Sequence, residues 1–183
     1  MSKENLKKYR NKIDIIDNKL LKLIQTRAEL ALKIGQIKSK LDPNASLYKP
    51  DREADVLRNI LKQNTGKISD KKIKTIFREL IAACLSLEEE IKVAYLGPEG
   101  THSEAALINK FGSSALRIPS SSIEDVFRKI QSNEVSLGIV PVENSSEGVI
   151  NSTLNSLADH NIKICGEIYL DVHHQLASAR RFN

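Results

Sequence analysis

Apolar residues in the first half of the chain recur at alternating steps of three and four. Leu6, Tyr9, Ile13, Ile16, Leu20, Leu23, Leu30, Ile34, Ile37 and Leu41 form one series, and Arg27 stands in it where an apolar residue is due. A heptad stripe of that length predicts one long helix, roughly 55 Å from end to end at about 1.5 Å per residue. Asp42-Pro43-Asn44 ends it, because proline disfavours helical geometry in the residue before it. A shorter helix is predicted from near Pro50, suited to a first helical turn, to about Asn64. Gly66 breaks the chain, and Ser69 is the expected N-cap of a third helix. The stripe of that helix is Ile73, Phe77, Leu80, Cys84, Leu87 and Ile91. The long helix outreaches what the other two can cover, so its stripe is expected to be buried by a second copy of the chain.

The period changes at about residue 93. Val93-Ala94-Tyr95-Leu96 is a short apolar run leading into Gly97-Pro98-Glu99-Gly100, followed by helix-forming Ser103 to Phe111. A second run, Leu137 to Val142, precedes Glu143-Asn144-Ser145-Ser146-Glu147-Gly148 and a helix expected from about Val149 to Ala158. Ile162 to Leu170 is expected as a further strand. Strands alternating with helices predict βαβ units and a mostly parallel sheet. The fold class is therefore a helical domain over residues 1–92 followed by an α/β domain over residues 93–183.

Composition narrows the function. The chain has 183 residues, 40% of them hydrophobic and 28% charged, which is a globular and not a disordered composition. No apolar run approaches the roughly 18 residues of a membrane span, and the charged N-terminus lacks the apolar core of a signal peptide. Cys84 and Cys165 form no metal-like pair, so a reduced, cytoplasmic protein is the expectation. Adjacent His173 and His174 on a strand would face opposite ways, and no metal site is expected. The net charge is +5. The lysines are dispersed and only 4% of residues are aromatic, which points away from nucleic acid and fits a small anionic substrate equally well.

Arg27 is the residue that decides what the helices are for. A lone charge in a heptad core can snorkel out or set the oligomeric state. Lys38, however, is rotated only roughly 20° from Arg27, and both can face one cavity about 16 Å apart along the axis. Arg10 is rotated about 100° from Arg27, a placement better suited to reaching across a dimer. Glu53 continues toward Val56 and Ile60 at helical spacing, and Glu88 shares a face with Phe77, Ile81 and Cys84. Cations and carboxylates aimed at helix interiors suggest a pocket for a small polyanion.

These residues carry a resemblance. Tyr9-Arg10-Asn11-Lys12-Ile13-Asp14, Arg27-Ala28-Glu29-Leu30-Ala31, Gly35-Gln36-Ile37-Lys38 and Tyr48-Lys49-Pro50-Asp51-Arg52-Glu53 resemble the all-helical chorismate mutase family. Val93 to Thr101 and Val140-Pro141-Val142-Glu143-Asn144-Ser145 resemble prephenate dehydratase signatures. The order of the two halves matches bifunctional enzymes of phenylalanine biosynthesis. The resemblance implies a three-helix mutase domain in an intertwined homodimer, then one lobe of a periplasmic-binding-protein-like dehydratase domain. It implies conversion of chorismate to prephenate without a cofactor, at a site of Arg27, Lys38, Lys49, Arg52, Glu53, Cys84 and Glu88, with Arg10 supplied by the partner chain. Arg27 and Arg10 would clamp the carboxylates, Lys38 would bond the ether oxygen, and Glu53 would accept from the substrate hydroxyl. Some relatives carry serine at the position of Cys84 and glutamine at that of Glu88; a glutamate there donates only when protonated, so activity is expected to fall with rising pH.

Thr101, Asn144 and Ser145 match positions lining the first-lobe side of the dehydratase cleft, although such residues also serve as ordinary helix caps and turns. The family's Thr-Arg-Phe motif is missing, Arg180-Arg181-Phe182 does not match it in position, and the family pattern stops after Leu176. The expectation is a truncated dehydratase half without activity of its own. The alternatives are a non-catalytic helical dimerisation or regulatory module, which predicts that Arg27→Ala is tolerated, and a basic coiled coil that binds DNA salt-sensitively.

Overall fold

The computed structural model describes residues 3–42, 48–145 and 148–172. The first half is three helices: α1 (Lys3–Leu41), α2 (Pro50–Gln63) and α3 (Asp70–Leu85). Pro50 occupies the first turn of α2, where its missing N–H has no intrahelical acceptor to lose. Ser69 has the extended backbone of an N-cap but makes no side-chain capping bond. Both α1 and α2 pack on α3. With 39 residues α1 is about 58 Å long and α3, with 16, about 24 Å. The stripe of α1 is therefore largely bare within one chain: Ile13 is 56% exposed and Leu23 66%.

The third helix is shorter than its stripe. The chain leaves α3 at Leu85 and tightens into turns, with the amides of Glu88 and Glu89 both donating to the Leu85 carbonyl at 2.9 and 3.2 Å. Leu87 and Glu88 sit in this turn, and Ile91 packs on the sheet of the second half and not on a helix face. The helical series breaks because the Ile91 carbonyl accepts from the Leu116 amide, at 2.9 Å, where the sheet begins.

The second half runs β1 (Lys92–Leu96), α4 (His102–Phe111), β2 (Leu116–Ser120), α5 (Ile123–Gln131), β3 (Leu137–Ile139), β4 (Glu143–Asn144), β5 (Gly148–Val149) and α6 (Asn151–Asp159). Strands β2, β1 and β3 form a parallel sheet in that order, with Val93 facing Arg117 on one side and Leu137 on the other. The pair β4–β5 is antiparallel. Alternation along β1 feeds two cores: Val93 and Tyr95 pack with Leu107 of α4, and Ala94 packs with Val126 of α5. Gly138 permits the close approach of α5, since a Cβ there would lie 2.6 Å from Val126 and Ile130.

Two expectations from the sequence differ from the structure in this half. The run Leu137 to Val142 is a strand only to Ile139, after which the chain turns toward β4. Ile162 to Leu170 forms no strand; it is extended with Ile164 75% and Tyr169 85% exposed, and among the described residues no neighbouring strand supplies the ladder it would need. The hydrophobic pattern also passed over β2 and α5. Strand β2 is an edge strand containing Pro119, a position where proline is tolerated and apolar alternation is weak.

Candidate functional site

Arg27 and Lys38 are both half-buried on α1, on the side covered by α3. The Arg27 guanidinium donates from Nη1 to the Leu80 carbonyl at 3.4 Å. The turn after α3 brings Glu88 over Gly35, which lies between the two cations in sequence. Gly35 is the one buried residue of α1, and a Cβ there would stand 2.8 Å from Glu88 Oε2. Only a glycine leaves room for that carboxylate on the helix surface. Burial pushes the Glu88 carboxyl above its ordinary range, while Lys38 and then Arg27 pull it down. Its Oε2 is buried and has no hydrogen-bond partner among the described residues. Cys84, also buried, lies one helical turn before it on α3.

The result is two cations on α1 and, over the helix between them, a carboxyl group whose proton is favoured by desolvation. Such a set can bind an anionic ligand and donate one hydrogen bond to a poorly basic oxygen. Arg10 is exposed on the same long helix, well toward its N-terminus, and nothing among the described residues brings it to the others.

The α2 residues divide. Lys49 and Arg52 are exposed, whereas Glu53 is 8% exposed. Its Oε2 accepts from the Tyr48 hydroxyl at 3.0 Å and lies 3.7 Å from Lys110 Nζ on α4. Burial and the Glu53 carboxylate push the Tyr48 hydroxyl up beyond its ordinary range, so it is held as a donor. Sequence reasoning did not find Gly35, Tyr48 or Lys110 as part of this arrangement. The quoted motifs contain the first two, but only the packing of α4 against the helices reveals the third.

At the carboxyl end of the sheet, chain order reverses: β2 lies on one side of β1 and β3 on the other. That is where open α/β sheets hold ligands. Thr101 follows β1 there, and Asn144 and Ser145 follow β3. Thr101 caps α4: its hydroxyl accepts from the Glu104 amide at 3.4 Å and donates to the Leu96 carbonyl at 3.1 Å. Asn144 lies in β4 and Ser145 in the turn after it, both exposed. A shallow recess of about 350 Å³, lined by Gly97, Pro98, Pro119, Ser120 and Ser121, opens beside β1 and β2. Among the described residues no cluster of His, Cys, Asp and Glu could hold a metal ion, and no helix is long and apolar enough to cross a membrane. His173, His174 and the 180–182 segment lie outside the described residues.

Comparison with known proteins follows the same division. A family model for chorismate mutase type II matches residues 9–89, and one for prephenate dehydratase matches residues 93–182, which runs past Leu176, the stopping point expected from the sequence pattern. The bifunctional chorismate mutase/prephenate dehydratase of Stutzerimonas stutzeri is 43% identical over 176 residues, covering 94% of this chain and 48% of that protein. The protein of the same description from Aquifex aeolicus is 43% identical over 180 residues, covering 96% and 49%. The chain thus spans about half the length of the curated relatives it matches. A solved chorismate mutase from Thermus thermophilus aligns at 28% identity with a TM-score of 0.44, over 46% of this chain and 93% of that one.

Proposed function

The chain belongs to the bifunctional chorismate mutase/prephenate dehydratase family, and on that premise we propose that residues 1–92 are a chorismate mutase domain converting chorismate to prephenate. Residues 93–183 are then part of a prephenate dehydratase domain, the enzyme that takes prephenate to phenylpyruvate, water and CO2. The setting is phenylalanine biosynthesis in the cytoplasm.

The observation that carries the mutase reading is the Glu88 carboxyl lodged over Gly35 in the field of Lys38 and Arg27. Chorismate is a dicarboxylate whose rearrangement is pericyclic, so the protein needs only to hold the compact conformer and stabilise charge growing on the breaking ether oxygen. Arg27 pairs one carboxylate, where a guanidinium fixes orientation as well as charge. Arg10 of a second copy pairs the other, which requires a homodimer with α1 helices side by side; the bare stripe of α1 supports that assembly. Lys38 and protonated Glu88 donate to the ether oxygen. Cys84 lies beneath them, and Arg52, Lys49 and Glu53 close the site from α2, Glu53 accepting from the substrate hydroxyl. The sheet half is read as one periplasmic-binding-protein-like lobe, with Thr101, Asn144 and Ser145 on its cleft edge; the reversal of strand order at that edge supports this.

Arg27→Ala separates this reading from a helical module that only holds chains together. A catalytic site loses two or more orders of magnitude in chorismate turnover when a carboxylate clamp is removed, on the order of 3 kcal/mol or more. A dimerisation module has no turnover to lose, and removing a half-buried charge there leaves stability unchanged or raised.

A further inference from the structure

Glu53 is held from the other half of the chain. Lys110 stands in the last turn of α4 and is the cation of its ion pair, 3.7 Å from Oε2, with side-chain exposures of 21% and 8%. At that depth the pair is less screened than one at the surface. The Tyr48 hydroxyl donates to the same Oε2, and the Tyr48 ring meets Phe111 edge-on at 5.4 Å between centroids. These groups, with Arg78, Ala82 and Ser114 among others, line a partly open cavity of about 20 Å³, room for about one water.

The position of Lys110 relative to Glu53 is set by close packing of α3 against α4 and the turn after it. Arg78 Nη1 donates to the Asn109 carbonyl and to its Oδ1, at 3.2 and 3.0 Å. Glu79 Oε2 accepts from the Ser113 amide at 3.2 Å and from its hydroxyl at 3.0 Å. Gly112 allows that approach, since a Cβ there would lie 3.0 Å from Ala82 Cβ. Both contacts to Glu53 fall on Oε2, and Oε1 takes neither.

We propose that Lys110, together with Tyr48, is a positioning residue for the mutase site: Lys110 of the sheet half and Tyr48 beside α2 hold the Glu53 carboxylate by one oxygen so that the other is presented to the substrate hydroxyl. This rests on the chorismate mutase reading above. A hydroxyl contact of this kind is made in the bound substrate and in the transition state alike, so its loss raises KM and leaves kcat nearly unchanged.

The test is steady-state kinetics with chorismate on the full chain, comparing the unaltered protein, Lys110→Met, Lys110→Arg and Tyr48→Phe, with Lys110→Met repeated in a Glu53→Gln background. The expected result is a KM raised about five- to tenfold in Lys110→Met, as for loss of one charge-assisted contact, with kcat within about twofold. Lys110→Arg restores most of the affinity, and Tyr48→Phe shifts KM in the same direction by less. In the Glu53→Gln background, Lys110→Met changes nothing further. An unchanged KM in Lys110→Met overturns the proposal, and so does an equal rise with and without Glu53. Absence of turnover by the unaltered chain overturns the chorismate reading itself, before any variant is compared.

Discussion

At the scale of single residues, Glu88 carries a sign that can be worked out. Its carboxyl is raised by burial against the opposing pull of Lys38 and Arg27, and only its protonated form can donate to an ether oxygen. On the proposed mutase reading, activity is therefore expected to be full below the raised value and to decline as pH climbs through it. The folded chain also holds a proton that the unfolded chain has released at those pH values, so the stability contributed by this group falls in the same direction. Glu88→Gln, an amide that donates at any pH, is expected to flatten the rate profile above the ordinary carboxyl range; a profile that keeps its descending limb would assign the limb to another group. Gly35→Ala is the companion test. The added methyl enters the space of Glu88 Oε2, so kcat with chorismate is expected to drop by about tenfold or more, while circular dichroism stays helical because alanine favours a helix over glycine. The sequence marked Arg27, Lys38 and Glu88 because charges at apolar spacing are conspicuous. It did not mark Lys110 or the room left at Gly35, since a lysine in a last helical turn and a glycine in a helix have many ordinary explanations.

At the scale of elements, α1 and α3 were legible from period alone, to within a residue or two at most ends. The overrun past Leu85 arose because Leu87, Glu88 and Ile91 keep the helical spacing while serving a turn and a sheet. Strand β2 and helix α5 were missed for a different reason: the strand is a sheet edge broken by Pro119. The start of α5 had a signal that went unread, Ser122 capping the Asp125 amide at 3.1 Å. The bare stripe of α1 makes an element-scale prediction. Replacing Ile16 and Leu20, 53% and 49% exposed in the single chain, together by lysine is expected to convert a dimer to a monomer in sedimentation equilibrium and to abolish turnover, because Arg10 then has no neighbouring site to enter. A protein already monomeric before the change contradicts the shared-site reading. In the sheet half, Thr101→Val removes both hydroxyl bonds at the start of α4 and is expected to cost about 1 kcal/mol. That corresponds to a melting temperature lower by about 2–4 °C, with Thr101→Ser close to the unaltered protein.

At the scale of the molecule, two periods in the sequence foretold a helical half and a parallel α/β half, and both are present. What the sequence left out is how they meet: the Arg78–Asn109, Glu79–Ser113 and Glu53–Lys110 contacts join residues more than thirty positions apart, and no local pattern encodes such pairs. Whether the helical half rearranges chorismate is decided by incubating the purified chain with chorismate and following its disappearance, with phenylpyruvate measured before and after acid, which converts prephenate to phenylpyruvate chemically. The expected result is that chorismate is consumed and that phenylpyruvate is found after acid in matching amount; any found before acid reports the sheet half acting on the product. Chorismate left untouched by a folded, dimeric chain would mean that the helical half is not a mutase.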